Sequence, residues 1–290
     1  MIGMTRTLLE ISNLHIAVSK SGVGTRLVED VSFVLDRGET LGIVGESGSG
    51  KTLTSLSVMR LLNRPLHVES GRITFDGRQI LALSDKEMRG VRGRHISMIF
   101  QEPMTSLNPV LTIGRQLSET LRAHFPMSGR QAEDKAVALL ERVRIPNAAG
   151  KLSSYPFEFS GGMRQRVMIA MAMICEPKLI IADEPTTALD VTIQAEVLAL
   201  LKELKDEFRT SMIFVSHDLD VIADVCDNVL VMFKGRIVEQ GSVREVMKNP
   251  RHPYTRALLG ARPTLRTGEQ ARTFDRRRFR LEDVNRVLGR

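Results

Sequence analysis

The sequence has no tryptophan, two tyrosines and two cysteines among its 290 residues. With so few aromatic rings, the chain lacks the stacking platforms that single-stranded nucleic acids require, and we expect no nucleic-acid partner. Cys175 and Cys226 do not form a CxxC pair, and both lie among apolar residues. This pattern argues against a disulfide framework or a zinc site and favours two small buried side chains.

Long hydrophobic runs are also missing. The longest covers residues 167–175, whereas a membrane-spanning helix needs roughly 18 or more apolar residues. Near the N-terminus, Glu10 directly follows Leu8 and Leu9, so we find no secretory hydrophobic region. We therefore expect a cytoplasmic chain that does not cross the bilayer, and its 42% of hydrophobic residues suffices for a large core.

The positive charge is unevenly distributed. The net charge is +7, and residues 262–290 contain nine arginines against four acidic residues. Leu281, Val284 and Leu288 follow an arginine cluster at a spacing that predicts a short amphipathic helix. This basic extension, residues 261–290, is either a solvated terminus or a surface for anionic lipid headgroups or the membrane subunits.

The order of elements predicts a mixed α/β fold. Residues 8–77 contain β-like runs at 8–18, 31–35 and 72–75, separated by turn residues, which indicates an antiparallel opening. Wholly apolar runs at 179–182, 212–215 and 229–233 predict strands that are buried on both faces, with a helix between the first two.

The middle of the chain differs from both ends. Ser128 can cap a helix whose apolar residues recur at helical spacing between 132 and 143. We therefore predict a small helical insert at about residues 102–165.

A glycine-rich loop directly follows the apolar run 41–44. It matches GxxxxGK[ST] and consists of Gly45, Glu46, Ser47, Gly48, Ser49, Gly50, Lys51 and Thr52. Glycines let backbone N–H groups converge on phosphate oxygens, and the following helix presents its positive end. We predict that Lys51 reaches the β and γ phosphates of a nucleotide and that the Thr52 hydroxyl ligates Mg²⁺. The loop alone does not separate a kinase from a transporter.

A carboxylate pair, Asp183 and Glu184, follows the apolar run 179–182. In open α/β sheets, ligands bind beyond the C-terminal ends of strands. Asp183 can hold Mg²⁺ through water, and Glu184 can accept a proton from an attacking water molecule. The pair therefore predicts nucleotide hydrolysis.

Residues 159–166, with the sequence FSGGMRQR, resemble the signature of ABC ATPases, usually LSGGQ. Further ABC-like elements follow in the family's order: Gln101 after the apolar run 96–100, Asp190 within an Ala-Leu-Asp triplet, and His217 after the run 212–215. The resemblance covers residues 8–260. It implies an α/β P-loop NTPase core with an antiparallel β subdomain, a helical subdomain insert and a short C-terminal extension. The ABC ATPase domain would then span residues 1–260.

The same resemblance implies the residue roles. Ser160, Gly161 and Gly162 would bind an ATP held by a second ATPase subunit, and Asp190 would be the D-loop carboxylate. Gln101 would sense Mg²⁺ and couple to the membrane partner, and His217 would contact the γ phosphate. ATP and Mg²⁺ are thus the expected ligands. The expected metal residues are Thr52, Gln101 and Asp183, and the expected catalytic residues are Glu184 and His217.

Four segments, residues 98–109, 163–166, 185–192 and 249–259, are similar to the oligopeptide, dipeptide and nickel importer branch. The similarity implies an ATPase that powers peptide import; nickel chelates, glutathione-like molecules and opines remain alternative cargoes. By itself, segment 249–259 is also explained by a Pro-started helix that packs Leu258 and Leu259.

The expected partners follow from this branch. They are two transmembrane permease subunits, a second ATPase subunit in a heterodimer or, less favoured, a homodimer, and indirectly a substrate-binding protein. The expected location is the cytoplasmic face of a bacterial inner membrane, as a peripheral protein.

The sequence departs from the family at two points. No aromatic residue stands near Ala17 and Val18, where many ABC ATPases stack the adenine, so recognition of the base is either looser or uses another residue. No cysteine follows Cys226, which excludes the C-terminal iron–sulfur cluster of some members.

Two other function classes are less favoured. A soluble ABC ATPase of DNA repair or translation would carry a long coiled-coil insert or a second cassette. A nucleotide-regulated binding module would be expected to lack Glu184 or His217.

Overall fold

The structure is a computed structural model that describes residues 6–20, 23–101, 106–187 and 189–260. The described chain divides into two compact units. The first holds the residues up to Leu81 and from Phe214 onward, and the second is Ala82–Ile213. Residues 102–105, Ala188 and the basic extension 261–290 lie outside the described residues, so the expectations about them remain predictions.

An antiparallel sheet opens the first unit, as the sequence predicts. It consists of β1 (Thr7–Lys20), β2 (Val23–Asp36), β4 (Leu66–Phe75) and β5 (Arg78–Gln79), in the order β2-β1-β4-β5. β1 and β2 are longer than the predicted runs 8–18 and 31–35. The prediction missed the first part of β2 because its residues are exposed or charged and lack an apolar pattern. Irregular pairing interrupts β1, which contains Asn13 at a φ of 48°.

Of the other strands in the first unit, β3 and β9 are largely buried, whereas β10 is mostly half-buried. Strand β3 (Thr40–Val44) pairs in parallel with β9 (Asn228–Phe233), and β10 (Arg236–Ser242) pairs antiparallel with β9. All five residues of β3 are buried. The boundary between the units falls within β8 (Ser211–Ser216), whose six residues are also buried.

In the second unit, β6 (Ile96–Ile99) pairs in parallel with β7 (Leu179–Asp183). Every residue of both strands is buried. The apolar runs therefore became strands covered on both faces, as predicted for an α/β fold.

The helices of the first unit are α1 (Lys51–Val58), α8 (Leu219–Val225), α9 (Val243–Lys248) and α10 (Pro253–Gly260). Those of the second unit are α2 (Asp85–Val91), α3 (Ile113–His124), α4 (Gly129–Arg142), α5 (Ala148–Lys151), α6 (Gly161–Met173) and α7 (Val191–Glu207). Short 3₁₀ turns occupy Ile80–Ala82 and Pro156–Glu158. Within the described ranges, no helix has the length and hydrophobicity that crossing a bilayer requires.

The last described helix, α10, begins at Pro253, as the sequence predicts. Tyr254 and Thr255 are fully buried, whereas Leu258 and Leu259 are only partly covered. Each leucine lies four residues after one of the two buried residues and therefore on the same side of the helix. The first turn of α10 is thus buried more deeply than the two predicted leucines.

Both cysteines are free thiols. Cys175 is 6% exposed, and its burial raises the pKa of the thiol to about 11. Cys226 lies close enough to β3 that a Cβ at Gly42 would come within 3.1 Å of its sulfur, and burial raises its pKa further. Both thiols therefore stay protonated near neutral pH and act as packing groups.

We expect Ser128→Ala to destabilise the chain by about 0.5–2 kcal/mol, because it removes the cap of α4. The Ser128 hydroxyl accepts from the Gln131 N–H at 3.3 Å, and the Gln131 side chain accepts from the Ser128 N–H at 2.9 Å. Ser128→Asn keeps a capping oxygen and serves as the control. Urea unfolding measures both, and equal midpoints for the two variants would contradict the role of the cap.

Candidate functional site

The phosphate-binding loop, residues 45–52, leaves β3 and enters α1. Gly50 caps the helix at a φ of 102°, a conformation that side-chain-bearing residues rarely adopt. A Cβ at Gly45 would lie 2.2 Å from the Met232 carbonyl oxygen on β9. The loop can therefore approach its neighbours this closely only because glycine stands at these positions.

Lys51 is only 5% exposed, and its ammonium lies against the backbone of this loop. Its Nζ donates to the carbonyl oxygens of Gly45 at 2.7 Å and Glu46 at 3.0 Å. Thr52 is exposed on the first turn of α1. A cation held within a glycine-rich loop, with a hydroxyl on the adjacent helical turn, has the chemistry that a Mg²⁺-bound nucleotide phosphate requires.

The first unit also supports the loop through Tyr254, a residue that the sequence analysis did not identify. The Glu46 N–H donates to the Tyr254 hydroxyl at 3.1 Å, although 208 residues separate them. Tyr254 is fully buried, and its ring lies 4.3 Å from the Phe233 ring, centroid to centroid. An aromatic pair thus holds a hydroxyl against the phosphate-binding loop.

The position of Tyr254 depends on Glu239 in β10. The Glu239 carboxylate accepts from the backbone N–H groups of Arg251 at 2.7 Å and His252 at 3.0 Å. These bonds fix the chain directly before α10. In the sequence, Tyr254 stands out only as an aromatic residue within the segment 249–259 that resembles the importer branch. Its spacing does not connect it with the phosphate-binding loop.

His217 belongs to the first unit and is exposed directly after β8, the strand next to β3. The following residue, Asp218, caps α8 by accepting from the N–H groups of Asp220 and Val221. Among the predicted site residues, the first unit therefore carries the phosphate-binding loop and His217.

The second unit carries the carboxylate pair at the end of β7. Asp183 is the last strand residue and is 4% exposed. Glu184 follows with a φ of 48°, in the left-handed region. Such a conformation costs roughly 1–3 kcal/mol in a residue other than glycine and is concentrated at functional sites.

Two side chains hold the Glu184 carboxylate. Gln101 Nε2 donates to Oε2 at 3.2 Å, and the Thr187 hydroxyl donates to the same oxygen at 3.0 Å. The structure therefore brings Gln101 and Glu184 together, because each follows one of the paired parallel strands β6 and β7. Thr187 was not singled out from the sequence, where it is one of two adjacent threonines without a distinguishing pattern.

The signature residues form the open N-terminal end of α6. The Ser160 hydroxyl caps this helix by accepting from the Met163 N–H at 3.3 Å, and Ser160 and Gly161 are exposed. Gly162 faces α7, since a Cβ there would come within 3.1 Å of Ile193 Cγ2. Asp190 caps α7 by accepting from the Ile193 N–H at 3.0 Å. The contact of Asp190 with a nucleotide site stays a prediction.

Comparisons with known proteins agree with this architecture. A model of the ABC transporter family matches residues 28–187, and a model of the oligopeptide/dipeptide transporter C-terminal region matches residues 238–286. The second match includes Tyr254 and the chain that positions it.

Individual relatives match most of the chain. The oligopeptide transport ATP-binding protein OppD of Bacillus subtilis (strain 168) is 52% identical over 275 residues, which cover 94% of this chain and 76% of that protein. OppD of Salmonella typhimurium is 52% identical over 258 residues, 89% of this chain and 77% of that protein. A solved dimeric structure of the ATP-binding cassette MJ0796 in a post-hydrolysis state with ADP and Pi has a TM-score of 0.73 and 26% identity, covering 82% of this chain and 99% of that one.

We expect Tyr254→Phe to weaken ATP binding about 2- to 10-fold, because one neutral hydrogen bond to the phosphate-binding loop contributes about 0.5–1.5 kcal/mol. Lys51→Ala should weaken it much more, since the variant loses the cation. The matched control is Tyr155→Phe, because Tyr155 is the chain's other tyrosine, is exposed and is distant in sequence from the phosphate-binding loop. Equilibrium titration with a fluorescent ATP analogue measures all three, and unchanged affinity in Tyr254→Phe would contradict the supporting role.

Proposed function

The chain belongs to the ABC transporter family, and on that premise we propose that it is the ATP-hydrolysing subunit of an importer for small peptides. The observation that carries the proposal is the match of residues 238–286 to the oligopeptide/dipeptide transporter C-terminal region, in addition to the ATPase family match. Relatives named as oligopeptide transport ATP-binding proteins support peptides as the cargo. Nickel chelates, glutathione-like molecules and opines are the alternatives within the same branch.

ATP hydrolysis in this proposal gives each of the predicted site residues a separate role. Lys51 and the backbone N–H groups of residues 45–50 bind the β and γ phosphates and neutralise part of their charge. Glu184 orients the attacking water and accepts its proton, while His217 contacts the γ phosphate. Gln101 and Thr187 hold the Glu184 carboxylate in position for this step.

Mg²⁺ fits the donor set that the chain offers. The Thr52 hydroxyl and the oxygens of Asp183 and Gln101 are hard ligands of the kind that Mg²⁺ binds, directly or through water. When bound, the ion would screen the charge between the β and γ phosphates. The protein's own residues remain responsible for orienting water and moving its proton.

A second ATPase subunit completes each nucleotide site in the proposed assembly. The exposed N-terminal end of α6, with Ser160, Gly161 and Gly162, provides backbone N–H groups that suit an anion held by another chain. The dimeric arrangement of the cassette MJ0796 with ADP and Pi supports such a pairing. We favour a heterodimer, with a homodimer as the alternative.

The membrane partners in this proposal are two permease subunits, with a substrate-binding protein delivering the cargo to them. The chain would then act at the cytoplasmic face of a bacterial inner membrane as a peripheral protein. Gln101 and the following segment to Pro109 would face the permeases, so that the residue which holds Glu184 also meets the partner. A role in DNA repair or translation is disfavoured by the match to a transporter-specific C-terminal region.

We expect Glu184→Gln to bind ATP but hydrolyse it at least about 10²-fold more slowly, because a positioned general base contributes roughly 10²- to 10⁴-fold. Phosphate release by the assembled transporter at saturating ATP measures the effect. Glu133→Gln, an exposed glutamate of α4, is the matched control and should hydrolyse ATP normally. Turnover near the unsubstituted rate in Glu184→Gln would refute the assignment of the base.

Gln101 and Thr187 both hold Glu184, but in this proposal only Gln101 also takes part in coupling to the permeases. We expect Gln101→Ala to reduce peptide uptake into reconstituted vesicles more than it reduces ATP hydrolysis, because it removes both a carboxylate contact and a permease contact. Thr187→Val removes the hydroxyl's contacts with the Glu184 carboxylate and backbone carbonyl but no permease contact, and it should reduce both rates in parallel. If Gln101→Ala also left uptake and hydrolysis in proportion, the loop would not transmit the signal.

A further inference from the structure

Gln165 is a buried amide on the signature helix that the proposed mechanism does not use. It is 1% exposed and lies about one turn after Gly161, the first residue of α6. Its Nε2 donates to the Pro185 carbonyl oxygen at 2.5 Å, across 20 residues of sequence. A buried polar side chain needs such a partner, and this partner is the residue next to the catalytic carboxylate.

The accepting carbonyl belongs to the catalytic turn, which we define as residues 184–187. Glu184 holds its left-handed conformation at the start of this turn, at a cost that the surrounding contacts must offset. Within the turn, the Thr187 hydroxyl bonds the Glu184 carboxylate. The Gln165 bond ties the backbone of this turn to α6.

The same face of α6 also contacts the next helix. Gly162 lies three residues before Gln165, so both share one side of the helix. Gly162 packs on Ile193 of α7, whose N–H is capped by Asp190. Farther along, Arg166 forms an ion pair with Glu196 of α7 at 2.7 Å. The signature helix α6 therefore contacts the catalytic turn through Gln165 and the following helix α7 through Gly162 and Arg166.

We propose that Gln165 is a positioning residue that makes the catalytic turn move with the signature helix. This inference rests on the proposed function, in which the signature binds an ATP held by the second subunit while Glu184 acts on the ATP held by its own chain. A shift of α6 when its N-terminal end meets the second subunit's nucleotide then shifts the Pro185 carbonyl, and with it Glu184. One hydrogen bond therefore links the two nucleotide sites within a single chain.

The chemistry of the bond suggests a test with two variants. Gln165→Met keeps the length of the side chain but cannot donate. Gln165→Glu can donate only when its carboxyl is protonated, because the carboxylate would repel the Pro185 carbonyl. Burial raises the pKa of such a carboxyl, which brings the protonated form into the range near neutral pH. Gln240→Met, at an exposed glutamine of β10, is the matched control.

The measurement is ATP hydrolysis by the assembled transporter at several pH values. We expect Gln165→Met to lower kcat roughly tenfold, the effect of about one lost hydrogen bond to a buried group, with KM for ATP unchanged. The rate of Gln165→Glu, divided by the unsubstituted rate at each pH, should rise as pH falls. The same ratio for Gln165→Met should stay flat, and Gln240→Met should match the unsubstituted protein throughout.

Three outcomes would overturn the proposal: normal kcat in Gln165→Met, a raised KM with unchanged kcat, or identical pH ratios for the two Gln165 variants. Urea unfolding of each variant at every pH separates the positioning role from loss of the fold, because a buried ionised carboxyl in Gln165→Glu also costs stability that returns as pH falls. Activities are therefore compared only under conditions in which the variant is fully folded. Failure of the proposed function is separate, because it would appear as absent hydrolysis by the unsubstituted protein or as normal turnover in Glu184→Gln.

Discussion

The burial of whole strands on both faces is the constraint on which the rest of the molecule depends. Every residue of β3, β6 and β7 is buried, so these strands carry almost no polar side chains along their length. Polar groups therefore appear directly after the strands end, where the backbone leaves the core. The phosphate-binding loop follows β3, Gln101 stands two residues after the end of β6, and Glu184 directly follows β7.

Close packing around the phosphate-binding loop explains why a segment 208 residues away contributes to it. The loop leaves no space for a Cβ at Gly45, and its Glu46 N–H meets the hydroxyl of Tyr254. Tyr254 can be fully buried only because that hydroxyl has a hydrogen-bond partner and its ring has Phe233 beside it. The region matched to the peptide transporter family thus includes a side chain that holds the backbone of this loop.

The catalytic turn shows how local strain is held in place. Glu184 adopts a conformation that costs roughly 1–3 kcal/mol, about the size of one or two hydrogen bonds to buried or charged groups. Contacts from Gln101, Thr187 and Gln165 fix the carboxylate and the adjacent backbone. Because these residues come from the end of β6, the turn itself and the signature helix, the orientation of the base depends on three separate parts of the second unit.

Local patterns in the sequence determined much of the fold and most of the motif positions. The apolar runs at 179–182, 212–215 and 229–233 became buried strands, and Ser128 caps its helix with Gln131. The match to the ABC transporter family confirmed the family that the ordered motifs indicated. These features depend on residues within a few positions of one another, so a linear pattern can display them.

Only the tertiary structure decided which distant groups touch. The bonds from Glu46 to Tyr254 and from Gln165 to Pro185 join elements that packing brings together, and no spacing in the sequence encodes either pair. For the same reason, the sequence did not show which turn of α10 is buried more deeply, since Tyr254 and the leucines at 258 and 259 lie on one side of the helix and are all plausible core residues until neighbours are known. The hydrophobic pattern determines whether a segment forms a helix or a strand. The shape of the surrounding core, and the need of its buried polar groups for hydrogen-bond partners, determine which residues that segment contacts.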